Sequence, residues 1–310
     1  MTATTTSIKR PTLIVIVGPT GSGKTSLSID IARHFGAPII STDSRQVYRG
    51  MAIGTAQPSA EELAAAEHHF IADREIFDDF NCGRYEQEAL ARLKELFAKH
   101  NVVVAVGGSG LYIQALCEGL DALPEADDKL RTELKHRLET EGIDSLVDQL
   151  RELDPRYVAE VDVYNPQRIV RALEVCLISG KPYSELRSGG VAQRDFNIVK
   201  IGTEMDREVL YDRINRRVDI MLEDGLLSEV ERLLPHRHLN SLQTVGYREF
   251  FDYFDGKCSL EESVELLKRN SRRYAKRQMT WFRRDESIAW FAPDKVEEII
   301  DYINGKILQN

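Results

Sequence analysis

The sequence predicts an α/β protein, a parallel sheet with helices on both faces and an all-helical block inserted into it. Three observations carry this. Short apolar runs alternate with amphipathic helical stretches over the first third of the chain, the pattern of strands buried on both faces. The first run, Leu13 to Val17, leads into Gly18-Pro19-Thr20-Gly21-Ser22-Gly23-Lys24-Thr25, a glycine-rich turn that opens a helix. From Glu118 to Arg194 no strand pattern occurs, and Phe196 to Gly202 resumes it. The expected organisation is a phosphate-loop core of residues 1–117 and 195–310, with a helical insertion of residues 118–194.

Each element follows from local pattern. Lys24 to Phe35 places Leu27, Ile31 and Phe35 at helical spacing. Pro38-Ile39-Ile40-Ser41 reads as a short buried strand with Asp43 just past its end. Arg84 to His100 is an amphipathic helix carrying Leu90, Leu93 and Phe97. Val102 to Val106 is the next strand, closed by Gly107-Gly108-Ser109-Gly110. Within the insertion, Asp128 to Glu141, Ile143 to Leu153 and Pro166 to Ser179 read as helices, punctuated by Gly142, Pro155 and Gly180. Arg187-Ser188-Gly189-Gly190 reads as a flexible exit. A helix from Arg207 to Asp224, a long one from Leu260 to Arg284, a strand from Ser287 to Phe291 and a terminal helix from Lys295 complete the pattern. Ligands of such sheets collect at the carboxyl ends of the strands, so Thr25, Asp43 and Ser109 are expected to converge.

Composition narrows the class. The chain has 310 residues, 42% hydrophobic and 29% charged, as in ordinary globular proteins. No apolar run is long enough to span a bilayer. Met1 to Pro11 is threonine-rich and reads as a disordered lead-in with no export signal. Cys82, Cys117, Cys176 and Cys258 form no Cys-x-x-Cys pair, which fits a reduced cytoplasmic setting without structural zinc. His68-His69 and His236-Arg237-His238 have no further ligand at metal-binding spacing. The net charge of −9 hides a segregated pattern. Between Arg269 and Arg284 stand Arg269, Arg272, Arg273, Lys276, Arg277, Arg283 and Arg284 without an acidic residue, a stripe suited to a polyanion.

The chemistry centres on the glycine loop. Its glycines let successive N–H groups turn toward an anion, and Lys24 and the helix dipole add positive charge. NTPases of this loop class place a magnesium-holding aspartate at the end of a later strand. Here Val102 to Val106 ends in glycines and serine instead. Asp43 is then the conspicuous carboxylate, either a general base or a cap for the turn at Ser44. Gln46 offers donors and acceptors to a base edge, and Arg45 and Arg49 suit phosphates. A small-molecule kinase would use the same loop but leaves the basic helix unexplained. A guanine-reading switch protein would need an Asn-Lys-x-Asp stretch, which the sequence lacks.

Six motifs in order resemble the tRNA dimethylallyltransferase family: Gly18 to Thr25, Ser41 to Tyr48, Gly107 to Tyr112, Asn165 to Glu174, Val245 to Arg248 and Lys276 to Phe282. The resemblance implies transfer of a dimethylallyl group from its pyrophosphate to adenosine N6 beside a tRNA anticodon. It makes Asp43 the base, with Lys24 and Thr25 catalytic. Gly18, Pro19, Thr20, Gly21, Ser22, Gly23, Lys24, Thr25 and Arg217 would hold pyrophosphate, and Thr25 would hold Mg2+. It assigns tRNA contact to Asp43, Ser44, Arg45, Gln46, Ser109, Arg131, Gln167, Arg168, Ile169, Val170 and Arg171. In the C-terminal motifs and basic helix, Gly246, Tyr247, Arg248, Arg273, Lys276 and Arg277 are expected contacts. Ser109 stands where most members carry threonine, and the hydroxyl is kept. The C-terminal zinc finger of some members is not matched, so a compact bacterial form is expected, as a cytoplasmic monomer.

Overall fold

The computed structural model describes residues 10–187 and 189–309. Most of the expected lead-in, Met1 to Lys9, and Ser188 of the expected exit lie outside the described residues. Six strands form one sheet: β1 (Thr12–Val17), β2 (Ile39–Ser41), β3 (His68–His69), β4 (Val102–Gly107), β5 (Asn197–Thr203) and β6 (Ala289–Phe291). Their order is β3-β2-β4-β1-β5-β6, and every pairing is parallel.

Alternation along the central strands builds a core on each face. Leu13, Val15, Val17, Val103 and Ala105 pack to one side, with Tyr85, Tyr112, Tyr247, Phe250 and Leu267. Ile14, Ile16, Val102, Val104, Val199 and Ile201 pack to the other, with Leu27, Ile31, Ile299 and Ile303. This period of two on strands that are apolar throughout is what coverage of both faces requires.

The chain divides into two compact units, residues 1–117 with 193–310, and residues 118–192. The second is all-helical and has its own core of Leu134, Leu146, Leu150, Ile169 and Leu173. Its helices Asp128–Glu141 and Pro166–Ser179 start at side-chain caps from Asp127 and Asn165, and the latter ends at Gly180 in the left-handed region.

Several elements depart from expectation. β3 was not anticipated: His68 and His69 carry no strand pattern and are held by pairing with Ile39 and Ile40. Gly110, expected only as loop closure, begins the helix Gly110–Glu118. Ala60–Ala65, Pro155–Glu160 and Leu226–Leu233 are further helices, the first closed by a Ser59–Glu62 capping box. Among the described residues no helix is long and apolar enough to cross a membrane, and no group of three or more His, Cys, Asp or Glu is placed to hold a metal ion.

Candidate phosphate and nucleophile site

The glycine loop joins β1 to the helix Lys24–Phe35 at the strand flanked by β4 and β5, where ligands of open parallel sheets collect. Gly23 caps the helix in the left-handed region (φ 87°) without a side-chain cap. The first helical N–H groups are therefore left for an anion.

Two side chains from distant elements fix the loop. Ser22 Oγ and Thr203 Oγ1, at the end of β5, are 2.6 Å apart. Thr20 N donates to Gln278 Oε1 at 2.9 Å. A Cβ on Gly18 would lie 2.2 Å from Thr203 Oγ1, so only glycine fits there. Lys24 Nζ donates to Pro19 O at 2.6 Å. Arg217, on the helix Arg207–Glu223, donates to Thr20 Oγ1 at 3.3 Å. Burial, then the charge of Arg217, pulls Lys24 down from the usual lysine range to about 7, with Asp43 opposing. Burial also lowers Arg217, again against the pull of Asp43. Two cations thus crowd one loop, an arrangement that an anion relieves.

Asp43 lies past the end of β2 and does two things. Its Oδ1 accepts from Arg45 N at 2.8 Å and Gln46 N at 3.2 Å, which is the turn-capping role. Its Oδ2 accepts no hydrogen bond among the described residues, so half of the carboxylate is uncommitted. The turn is tied to the glycine loop after β4: Ser44 N donates to Ser109 Oγ at 3.0 Å, and Ser109 Oγ donates to Ser44 Oγ at 3.2 Å. Tyr274 lies close to Ser109, and its phenol is pushed up to about 12 by burial and by the charge of Asp43.

The remaining expected residues divide by orientation. Gln46 spends its amide hydrogens on the carbonyls of Ala56 (2.7 Å) and Thr55 (3.2 Å), so it reads no base edge with those donors. Arg45 donates to Asn240 O at 2.8 Å. Tyr247 is fully buried, its hydroxyl 2.7 Å from Glu229, which also accepts from Ile53 N and Gly54 N. That is a correction to the expectation of RNA contact by its side chain: Tyr247 braces the loop at Gly54. Gly246 is held against Gly54 O with φ 110°, and Arg248 is exposed.

In the insertion, Gln167 and Arg168 are exposed, but Ile169 and Val170 turn into its core, the same correction. Arg131 and Arg171 both pair with Glu174 Oε2, at 2.9 and 2.7 Å. Glu174 is fully buried while the two arginines stay 35% and 31% exposed, so the trio presents a net positive surface.

On the helix Leu260–Phe282, Arg269, Arg273, Lys276 and Arg277 are exposed without an acidic partner among the described residues, as is Arg284 just beyond it. Arg272 instead donates to Asn215 and Arg283 approaches Glu204. Sequence reasoning missed Gln278, Thr203 and Glu229 as functional supports. Their signal was a polar residue inside an otherwise apolar stripe or strand end.

Fold and loop together define an α/β protein with a glycine-rich loop at the carboxyl edge of its parallel sheet, near an aspartate. Residues 46–285 match the model of the IPP transferase family. The chain is 52% identical to a tRNA dimethylallyltransferase of Christiangramia forsetii, covering 95% of this chain and 98% of that protein. It is 50% identical to a tRNA dimethylallyltransferase of Phocaeicola vulgatus, with the same coverage. The solved tRNA isopentenylpyrophosphate transferase of Bacillus halodurans aligns with a TM-score of 0.73 at 39% identity, over 97% of this chain and 98% of that one. A eukaryotic dimethylallyltransferase acting on tRNA aligns at 0.74 and 27% identity, over 88% of this chain and 70% of that one. The chain belongs to the IPP transferase family.

Proposed function

We propose that this enzyme moves the dimethylallyl group of dimethylallyl pyrophosphate to N6 of the adenosine 3′-adjacent to the anticodon, in tRNAs reading codons that begin with U. The observation that carries the reading is the pairing of an anion-binding loop with a half-committed carboxylate, Asp43 Oδ2. Adenine N6 is a weak nucleophile because its lone pair is delocalised into the ring. As N6 bonds to the allylic carbon, the carbon–oxygen bond breaks and its electrons leave with pyrophosphate. The N6 proton passes to Asp43, which supplies general-base catalysis. Lys24, Arg217 and the loop N–H groups stabilise the charge developing on the leaving oxygens. No phosphoryl group moves, so a strand-end aspartate of the NTPase kind has no task.

The residues present fit Mg2+ through one hydroxyl. The Thr25 hydroxyl makes no hydrogen bond among the described residues, and a hard, strongly hydrated ion can complete its shell with pyrophosphate oxygens and water. Thr25 would hold it, and the ion would neutralise charge on the leaving group.

The target base must leave its stack to reach such a site. The exposed stripe Arg269, Arg273, Lys276 and Arg284 is suited to phosphates of the anticodon stem, and Gln167, Arg168, Arg131 and Arg171 to the loop. Incubation with dimethylallyl pyrophosphate and unmodified tRNA, with nucleosides read by mass, is expected to show a five-carbon unit on adenosine. Its absence would overturn the reading. Arg273→Glu is expected to weaken tRNA binding at every tRNA tested and to reduce the salt slope of log Kd by about one. Filter binding across a salt series measures both, and an unchanged slope removes the stripe from the interface.

A further inference from the structure

We infer that Gln278 is a positioning residue that sets the alignment of leaving group and nucleophile by tying the pyrophosphate loop to the Gly107–Gly110 loop; this rests on the transfer reaction proposed above. Gln278 is buried on a helix whose outer face carries the cations. Its Oε1 accepts from Thr20 N at 2.9 Å, and its Nε2 donates to Gly108 O at 2.9 Å. The two loops follow the neighbouring strands β1 and β4. One holds the proposed leaving group. The other holds Ser109, whose hydroxyl fixes Ser44 and with it the turn that presents Asp43.

The match is chemical as well as spatial. One group to be held is a donor and the other an acceptor, and a carboxamide supplies the complement of both. A carboxylate lacks the donor and an ammonium lacks the acceptor. Gly108 has room for nothing else, since a Cβ there would lie 2.2 Å from Gln278 Nε2. Gly110 is closed in the same way by Trp281, whose Nε1 a Cβ would meet at 2.3 Å. Tyr274, Gln278 and Trp281, spaced four and three apart on one helix face, thus engage Ser109, Gly108 and Gly110. Neither hydrogen bond of Gln278 contacts a substrate in the proposed reaction. Their combined effect is to hold two separately bound reactants at one distance, a contribution felt in the rate of the bonded step.

The test compares Gln278→Met and Gln278→Glu with the parent enzyme in single-turnover transfer, both substrates saturating and active sites titrated. Gln278→Met is expected to lose about ten- to a hundredfold in rate, with Kd for inorganic pyrophosphate and for tRNA within about twofold of the parent. Hydrogen exchange at the Thr20 amide is expected to quicken in the same variant without any substrate. Gln278→Glu keeps the acceptor for Thr20 N, and regains a donor toward Gly108 O only when its carboxyl is protonated. Its rate relative to the parent is therefore expected to rise as pH falls, whereas the Gln278→Met ratio stays flat. A parent-like single-turnover rate in Gln278→Met, a loss explained entirely by weaker substrate binding, or a flat Gln278→Glu ratio would each overturn the inference. If the parent itself transfers no five-carbon group, the reaction reading fails. Unchanged exchange at Thr20 would then refute the tie between the loops, and faster exchange would support it.

Discussion

Asp43→Asn is expected to lower the transfer rate at saturating substrates by about 10²–10⁴-fold, the range for removing a positioned general base. Asparagine is the informative replacement because of how the carboxylate is divided. The oxygen that accepts from Arg45 N and Gln46 N survives as an amide carbonyl, so the turn keeps its cap. The other oxygen becomes an NH2 group that cannot take a proton from N6. Asp43→Ala removes both functions, so it should lose the same rate and also loosen the turn that Ser109 anchors. Rapid-quench single turnovers with saturating tRNA measure the step directly. A parent-like rate in Asp43→Asn, with both substrates bound, would remove Asp43 as the base.

This division of labour was half legible in the sequence. Asp43 read as a base or, less favoured, as a turn cap, and the structure shows one oxygen in the cap while the other takes no hydrogen bond among the described residues. Local chemistry explains what could be read. A tight anion-facing turn demands glycines at adjacent positions, and helix starts demand caps such as Asp127 and Asn165. Those requirements sit within a few residues of one another. What could not be read depends on partners far along the chain. Gln278 meets Thr20 across 258 positions, and Thr203 meets Ser22 across 181.

Contiguous motifs misled for a related reason. Successive residues on a helix point about 100° apart, so one motif from Gln167 to Arg171 sends Ile169 and Val170 into the core while Gln167 and Arg168 face out. Tyr247, inside another motif, turned out to serve Glu229 and Gly54. β3 escaped because two histidines that join the sheet through backbone pairing carry no apolar signal.

Lys24→Met is expected to cut the transfer rate by about 10²–10³-fold, the effect of deleting one preorganised donor to developing negative charge, and to weaken pyrophosphate binding as well. The lysine also predicts a pH signature. Burial and Arg217 hold its ammonium near 7, and only the protonated form attracts the anion. Below pH 7 the charge is already present, and binding needs no further proton. Above pH 7 the amine must first take up a proton, so affinity falls as pH rises, by up to about tenfold per unit. Pyrophosphate, once bound, favours the ammonium and raises its pKa, which makes proton uptake the direct observable. Calorimetry at pH 8 in two buffers of different ionisation enthalpy is expected to report uptake on pyrophosphate binding by the parent. The Lys24→Met variant should lack that component, leaving only the proton exchange of pyrophosphate itself. Asp43 opposes the depression of Lys24, so Asp43→Asn should move the fall in affinity to lower pH. Equal uptake in the parent and in Lys24→Met would show that Lys24 is charged throughout and that the crowding of cations at the loop is relieved by some other group.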